Sequence, residues 1–142
     1  MDKQWLDGMW DHMRQKYGIY LRVLDAIPAD QFGDHPVSGM RTPTQMAVHT
    51  SGSIVRDIAE GVSSGTITAD EAGEDAVADE HLAGGVGNPW GIPLNSAFAM
   101  VVLNDEFLHH RGQLYAYVRA GGAEPPCMWG FEANPAGFQP RG

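Results

Sequence analysis

With 142 residues, 43% hydrophobic and 19% charged, the chain has the composition of one globular domain rather than of a disordered segment. Nine Lys+Arg against eighteen Asp+Glu give a formal net charge of −9. No Lys or Arg stands between Arg56 and Arg111, where Asp70, Glu71, Glu74, Asp75, Asp79 and Glu80 crowd, which argues against a nucleic-acid-binding face or attachment to an anionic membrane.

No apolar run approaches the roughly 18 residues needed to cross a bilayer. The opening Met1-Asp2-Lys3-Gln4-Trp5 lacks the basic and apolar regions of a secretory signal. A single cysteine, Cys127, rules out an internal disulfide. The expected location is therefore the cytoplasm.

From Asp2 to Ile27 the residues Leu6, Met9, Trp10, Met13, Tyr17, Tyr20, Leu21, Leu24 and Ile27 recur at steps of three and four. This spacing predicts one amphipathic helix with Asp7, Asp11, Arg14 and Gln15 facing away, ended by Pro28. Gly18 lies inside it at a cost of about 1 kcal/mol against Ala. After an irregular stretch to Arg41, Thr42-Pro43-Thr44-Gln45 combines an N-cap, a first-turn proline and a capping-box glutamine. The helix it starts should run to Glu60 or Gly61, with Ala47, Val48, Ile54, Val55, Ile58 and Ala59 on its apolar arc. Ser63 to Gly91 carries the weakest pattern: a short helix from Thr68 or Asp70 through Leu82, then a glycine-rich connection. A last helix is predicted from Pro93 to Ala120, closed by Gly121-Gly122. The tail, with Pro125, Pro126, Trp129 and Phe131, should lie back over the helices. The expected fold is an all-α bundle in one domain.

At about 100° per residue, Ala99, Met100, Leu103, Phe107, Leu114, Tyr117 and Val118 form one arc of the last helix. His110 falls inside that arc and Glu106 at its edge, one turn apart. A carboxylate there needs a compensating charge, which a divalent cation supplies with the imidazole as co-ligand. An ordinary helix-surface contact is the plainer reading of the pair. A third ligand would have to come from elsewhere, and His49 on the second helix is the candidate. On the wheel it sits with Gly52, Ser53, Arg56 and Glu60, which leaves open a solvated face or a polar cleft. Arg111 fits best as the partner of an acid on another helix, with stabilisation of substrate charge as the alternative. Cys127, beside Pro126 and without a neighbouring His pattern, makes a poor nucleophile.

Asn104-Asp105-Glu106-Phe107-Leu108-His109-His110-Arg111-Gly112-Gln113-Leu114-Tyr115, with Tyr117-Val118-Arg119-Ala120-Gly121-Gly122 and Pro125-Pro126 after it, resembles the C-terminal signature of the DinB/YfiT-like superfamily. That signature reads His-x-x-x-His-Arg-Gly-Gln-Leu, then an aromatic, an Arg, a Gly and a proline pair. Arg41 to His49 is similar to the family helix that carries the first metal-binding His. The resemblance spans most of the chain and is weak across Gly61 to Gly91. It implies a four-helix bundle, here with a short or degenerate third helix, commonly dimeric. It also implies a divalent metal, Zn or Ni, held by His49, Glu106 and His110. Many members have His where this chain has Glu106. Members similar to the mycothiol-dependent maleylpyruvate isomerases have Glu there, so the change keeps a ligand.

The function this implies is metal-dependent chemistry on a small-molecule substrate. The ion would activate a low-molecular-weight thiol or water for transfer, isomerisation or hydrolysis. The rival reading is a non-catalytic homodimeric bundle whose metal is structural or absent.

Overall fold

A computed structural model describes residues 2–66, 85–88, 91 and 93–141, apart from the side chains of Ser53 and Ile54. The expected short helix over the acidic segment, His81 and Trp90 lie outside the described residues. The described chain is mostly helical: α1 (Lys3–Asp25), a 3-10 turn (Ala29–Gln31), α2 (Pro43–Val48), a π-helix (His49–Arg56), α3 (Asp57–Ser64), α4 (Ser96–Ala120) and a 3-10 turn (Phe131–Ala133). Two short strands, β1 (Gly85–Val86) and β2 (Leu94–Asn95), pair antiparallel with Val86 opposite Leu94. No helix among the described residues is long and apolar enough to cross a membrane. Packing divides the chain into two compact units, Met1–Leu6 with Val48–Leu108 and Asp7–Ala47 with His109–Gly142.

In the first unit, Asp2 caps α1 by accepting the Trp5 N–H at 2.9 Å. The second-helix pattern does not run on as one α-helix. Eight residues from His49 to Arg56 adopt π geometry, and the Asp57 N–H donates to the Gly52 carbonyl five residues back. The wider turn of a π-helix rotates every later side chain relative to a 100° wheel. The expected apolar arc is broken accordingly. Thr50, Asp57 and Glu60 are buried with Ile58, Ala59 and Val62; Val48, which ends α2 ahead of the π-helix, is 68% exposed. Asp57 is matched by the Arg56 Nε at 3.2 Å.

The glycine-rich connection contains β1, whose Val86 is buried against its partner strand's Leu94. Residues 94 and 95, expected inside the last helix, form β2 instead. The reason is local: Asn95 accepts the Phe98 N–H at 2.8 Å and so acts as the N-cap of α4. On α4 the predicted arc holds, with Ala99, Met100, Leu103 and Phe107 of this unit all fully buried.

The second unit buries Met13, Ile19, Tyr20, Val23 and Ile27 of α1, Met46 of α2, and Leu114, Tyr117 and Val118 of α4. Thr42 and Gln45 form the expected reciprocal capping box, at 3.1 and 2.9 Å. Two tyrosine hydroxyls donate to backbone carbonyls, Tyr117 to Arg41 at 2.9 Å and Tyr20 to Ala47 at 3.3 Å. Helix α4 ends in a Schellman motif: Gly122 takes φ +82°, Ala123 N–H donates to Val118 and Gly122 N–H to Arg119.

The face of α1 expected to meet solvent receives the C-terminal tail instead. Arg14 bridges Asp11 to the Gly137 and Gln139 carbonyls, and Arg22 donates to the Gly130 carbonyl at 2.8 Å. Buried Asn134 donates to the Gln15 and Phe138 carbonyls at 2.8 and 2.9 Å. Gly18 explains itself here. A Cβ on it would come within 2.6 Å of Asn134 and Phe138, so the tail can approach α1 only where no side chain stands. The tail's aromatics are not all covered, for Trp129 stays 66% exposed, and Trp5 of the first unit is 43% exposed.

Candidate metal centre

Glu106 and His110 occupy consecutive turns of α4, as their spacing requires. His110 is only 6% exposed and Glu106 is half-buried. Leu103 and Phe107, beside Glu106 in sequence, are fully buried. His49 opens the π-helix and is half-buried. By packing, His49 and Glu106 belong to the first unit and His110 to the second. Among the described residues no group of three or more His, Cys, Asp or Glu side chains is gathered to hold a metal ion. The three-ligand set therefore stands on the resemblance and on the α4 pair, not on a preformed cage.

The chemistry of the donors nevertheless fits a metal. Gln113, one turn beyond His110, places its Oε1 2.8 Å from the His110 Nδ1. Its other end, the amide Nε2, lies 3.3 Å from Nε2 of His109. With its amide turned to His109, Gln113 offers His110 an acceptor, the arrangement that suits a His110 protonated on Nδ1. Its Nε2 is then the basic nitrogen. Ligand imidazoles commonly have one nitrogen held by such an outer acceptor. Gln113 stands in the quoted signature but carries no role in the sequence reading, although its i, i+3 spacing from His110 was the available signal. Asp105 is exposed and its oxygen meets Asn104 at 3.5 Å, so it orients neither candidate ligand.

Arg111 departs from its expected role. No carboxylate pairs with it among the described residues, and its Nη1 is buried without a hydrogen-bond partner. Burial pushes its pKa down, opposed only by Tyr115. Tyr115, one turn on, has a buried hydroxyl that also lacks a partner. Burial raises the Tyr115 pKa, and the Arg111 charge pulls it back. Cys127 is a free, exposed thiol. Glu60, expected on a polar face, is 9% exposed with an unpartnered Oε1.

A cavity of about 240 Å³ in the second unit is lined by Ile27, Gln31, Asp34, His35, Pro43 and Tyr117 among others, and by none of the candidate ligands. His35 Nδ1 donates there to the Met40 carbonyl at 2.6 Å. No family model matches the chain, and no curated protein matches it either.

Proposed function

We propose that the chain is a metal-dependent enzyme of the DinB/YfiT-like kind, a homodimeric four-helix bundle acting on a small molecule. His49, Glu106 and His110 are its ligands for a divalent ion, Zn or Ni. The observation that carries this reading is the α4 pair: a carboxylate and a buried imidazole one turn apart, the imidazole held by Gln113 in the tautomer a metal needs. Two imidazoles and one carboxylate leave a coordination position open, where the ion would make a water or a small thiol more acidic. The chain's own residues do the rest. Gln113 fixes the His110 ring and its Nδ1 proton. Glu106 brings the negative charge that offsets part of the cation's. Buried Leu103 and Phe107 keep water from that stretch of α4 and strengthen local electrostatics.

Metal analysis of protein purified without a histidine tag tests this directly, with Zn²⁺ and Ni²⁺ added back after dialysis. His110→Ala and Glu106→Ala should each abolish binding and leave helical circular dichroism near wild type, and His49→Ala should match them. Gln113→Leu should weaken metal affinity by roughly 10- to 100-fold. Wild-type protein that neither carries nor takes up metal defeats the proposal, and loss of fold in both α4 variants marks the pair as structural.

The rival non-catalytic dimer draws on a different observation. Trp5, Val48 and Phe98 of the first unit are 43%, 68% and 52% exposed, the kind of apolar surface a second copy covers. A dimer in sedimentation with no metal uptake would favour it.

A further inference from the structure

The cavity of about 240 Å³ in the second unit takes its polar lining from Gln31, Asp34 and His35 of one segment and from Tyr117 of α4. Two of the donors in this lining are already spent. The Tyr117 hydroxyl donates to the Arg41 carbonyl at 2.9 Å, and His35 Nδ1 to the Met40 carbonyl at 2.6 Å. Apart from the Gln31 amide N–H groups, what remains accepts: the Asp34 carboxylate, the second ring nitrogen of a neutral His35 and the Gln31 Oε1. No Lys or Arg lines the cavity. Helix α4 ends at Ala120, with Gly121 beyond it, and both border the cavity. The negative end of the helix dipole, roughly half an elementary charge, therefore adds to the carboxylate.

The rim is held in place. Asp34 N–H donates to the Gln31 carbonyl and Met40 N–H to the Val37 carbonyl, while Thr44 ties Phe32 to the start of α2 through both its N–H and its hydroxyl. A Cβ on Gly121 would collide with the Gln31 Oε1, so the Gln31 amide can lie against the end of α4 only because no side chain stands there. Ile27, Pro36 and Pro43 supply the apolar part of the wall.

We infer that this cavity binds a small primary amine, held as its ammonium ion by the Asp34 carboxylate, the His35 Nε2 and the Gln31 Oε1. An ammonium brings three donors and a positive charge to a lining of acceptors, and a short carbon chain covers the apolar wall. The volume falls below the roughly 300–1,000 Å³ of sites that enclose drug-sized ligands, which suits an amine of a few carbons. None of the proposed metal ligands lines the cavity, and the amine needs no metal ion.

The test follows amide NMR shifts of the full-length, metal-free protein at constant ionic strength, with n-butylamine hydrochloride as the probe. At about pH 8 a free imidazole is neutral and a primary amine charged. Saturable shifts confined to residues 31–35 and 117–121 are expected. Asp34→Asn should weaken binding by about three- to tenfold, the worth of a charge pair that stays partly hydrated. Asp30→Asn, the same charge change on a residue outside the lining, should leave affinity unchanged. Gly121→Ala should lower affinity as well, because its methyl displaces the Gln31 amide. 1-Butanol, with the same carbons and no charge, should bind more weakly than the amine, a comparison that needs no variant. Equal affinity for alcohol and amine overturns the ammonium assignment. Shifts that do not saturate, or that spread over carboxylates throughout the chain, mark general attraction to a net charge of −9 and overturn the site. Undiminished affinity in Asp34→Asn overturns it too, as does an equal loss in Asp30→Asn.

Discussion

The two units divide the chain's charge unequally. The segments Met1–Leu6 and Val48–Leu108 hold two of the nine Lys+Arg and eleven of the eighteen Asp+Glu, so the whole net charge of −9 lies there. The other unit holds seven of each and is neutral. The difference shows in how side chains are used. In the neutral unit, arginines act as ties: Arg14 and Arg22 donate to tail carbonyls, and Asp11 collects Arg14 and Arg141. In the acidic unit the carboxylates outnumber any cations that could pair with them, and two of them, Asp57 and Glu60, are buried. One unit is organised by directed hydrogen bonds to backbone. The other carries an excess of carboxylates, and with it a negative potential.

The sharpest way to break this comparison is to detach the tail. Gly18→Ala gains about 1 kcal/mol of helix propensity, yet its new methyl would sit 2.6 Å from Asn134 and Phe138. Asn134 cannot yield easily, because its amide is held by two carbonyls. Overpacking of this kind costs about 1–3 kcal/mol, so the substitution should be net destabilising in urea unfolding. Gly8, on the same helix with nothing within 4 Å of a Cβ, is the control. Gly8→Ala should be neutral or stabilising by up to about 1 kcal/mol. The same sign for both would show that the tail does not depend on Gly18.

A second, smaller effect concerns the start of α2. Thr42 and Gln45 cap each other, and Thr42 is buried. Thr42→Ala should cost about 1 kcal/mol, measured by the same urea transition. A loss below a few tenths would mean that the Tyr117 contact at Arg41 holds this turn instead.

These two sites also mark what could be read in advance. The capping box and the Gly121-Gly122 terminus are written in three to six adjacent residues, and local chemistry alone determines them. The α4 arc was legible because α4 is a regular helix over 25 residues, so a 100° wheel holds throughout. At His49 the wheel fails. Nothing in His49-Thr50-Ser51-Gly52 announces a π-helix, and one changed repeat brings Asp57 and Glu60 to buried positions beyond it. Asn95 was a readable cap that Pro93 overshadowed. The unpartnered Arg111 nitrogen was beyond reach for another reason: whether a buried guanidinium meets an acid depends on tertiary packing, which no local pattern records.

The neutral unit should also respond to mild acid through His12. Partial burial, then Lys16 and Arg111, hold its pKa below 6.5 in the folded chain. As pH falls through 6.5 the unfolded chain takes up the proton first, so it binds more protons than the native state and stability declines. Once pH passes below the lowered native value the decline from this residue stops. His12→Asn should flatten that part of the stability–pH curve. A parallel curve, merely offset, would show that His12 titrates alike in both states.

The smallest expected effect tests the charge division itself. Raising salt from about 0.01 M to about 0.1 M shortens the screening length from roughly 30 to 10 Å. Repulsion among the surplus carboxylates of the acidic unit should relax, and its amides in α3 and residues 96–108 of α4 should gain hydrogen-exchange protection. The gain should amount to a few tenths of a kcal/mol, the scale of exposed charge interactions. The neutral unit has no net repulsion to relieve, and screening weakens its Arg14–Asp11 and Arg141–Asp11 pairs. Amides of α1 from Asp7 onward should therefore hold constant or lose protection. Because the salt is the same for both units, global effects on solvent or on the unfolded chain cancel in the contrast. Equal changes in both would mean that the surplus carboxylates are already neutralised, by bound cations or by protons, and metal analysis of the same sample separates those two causes.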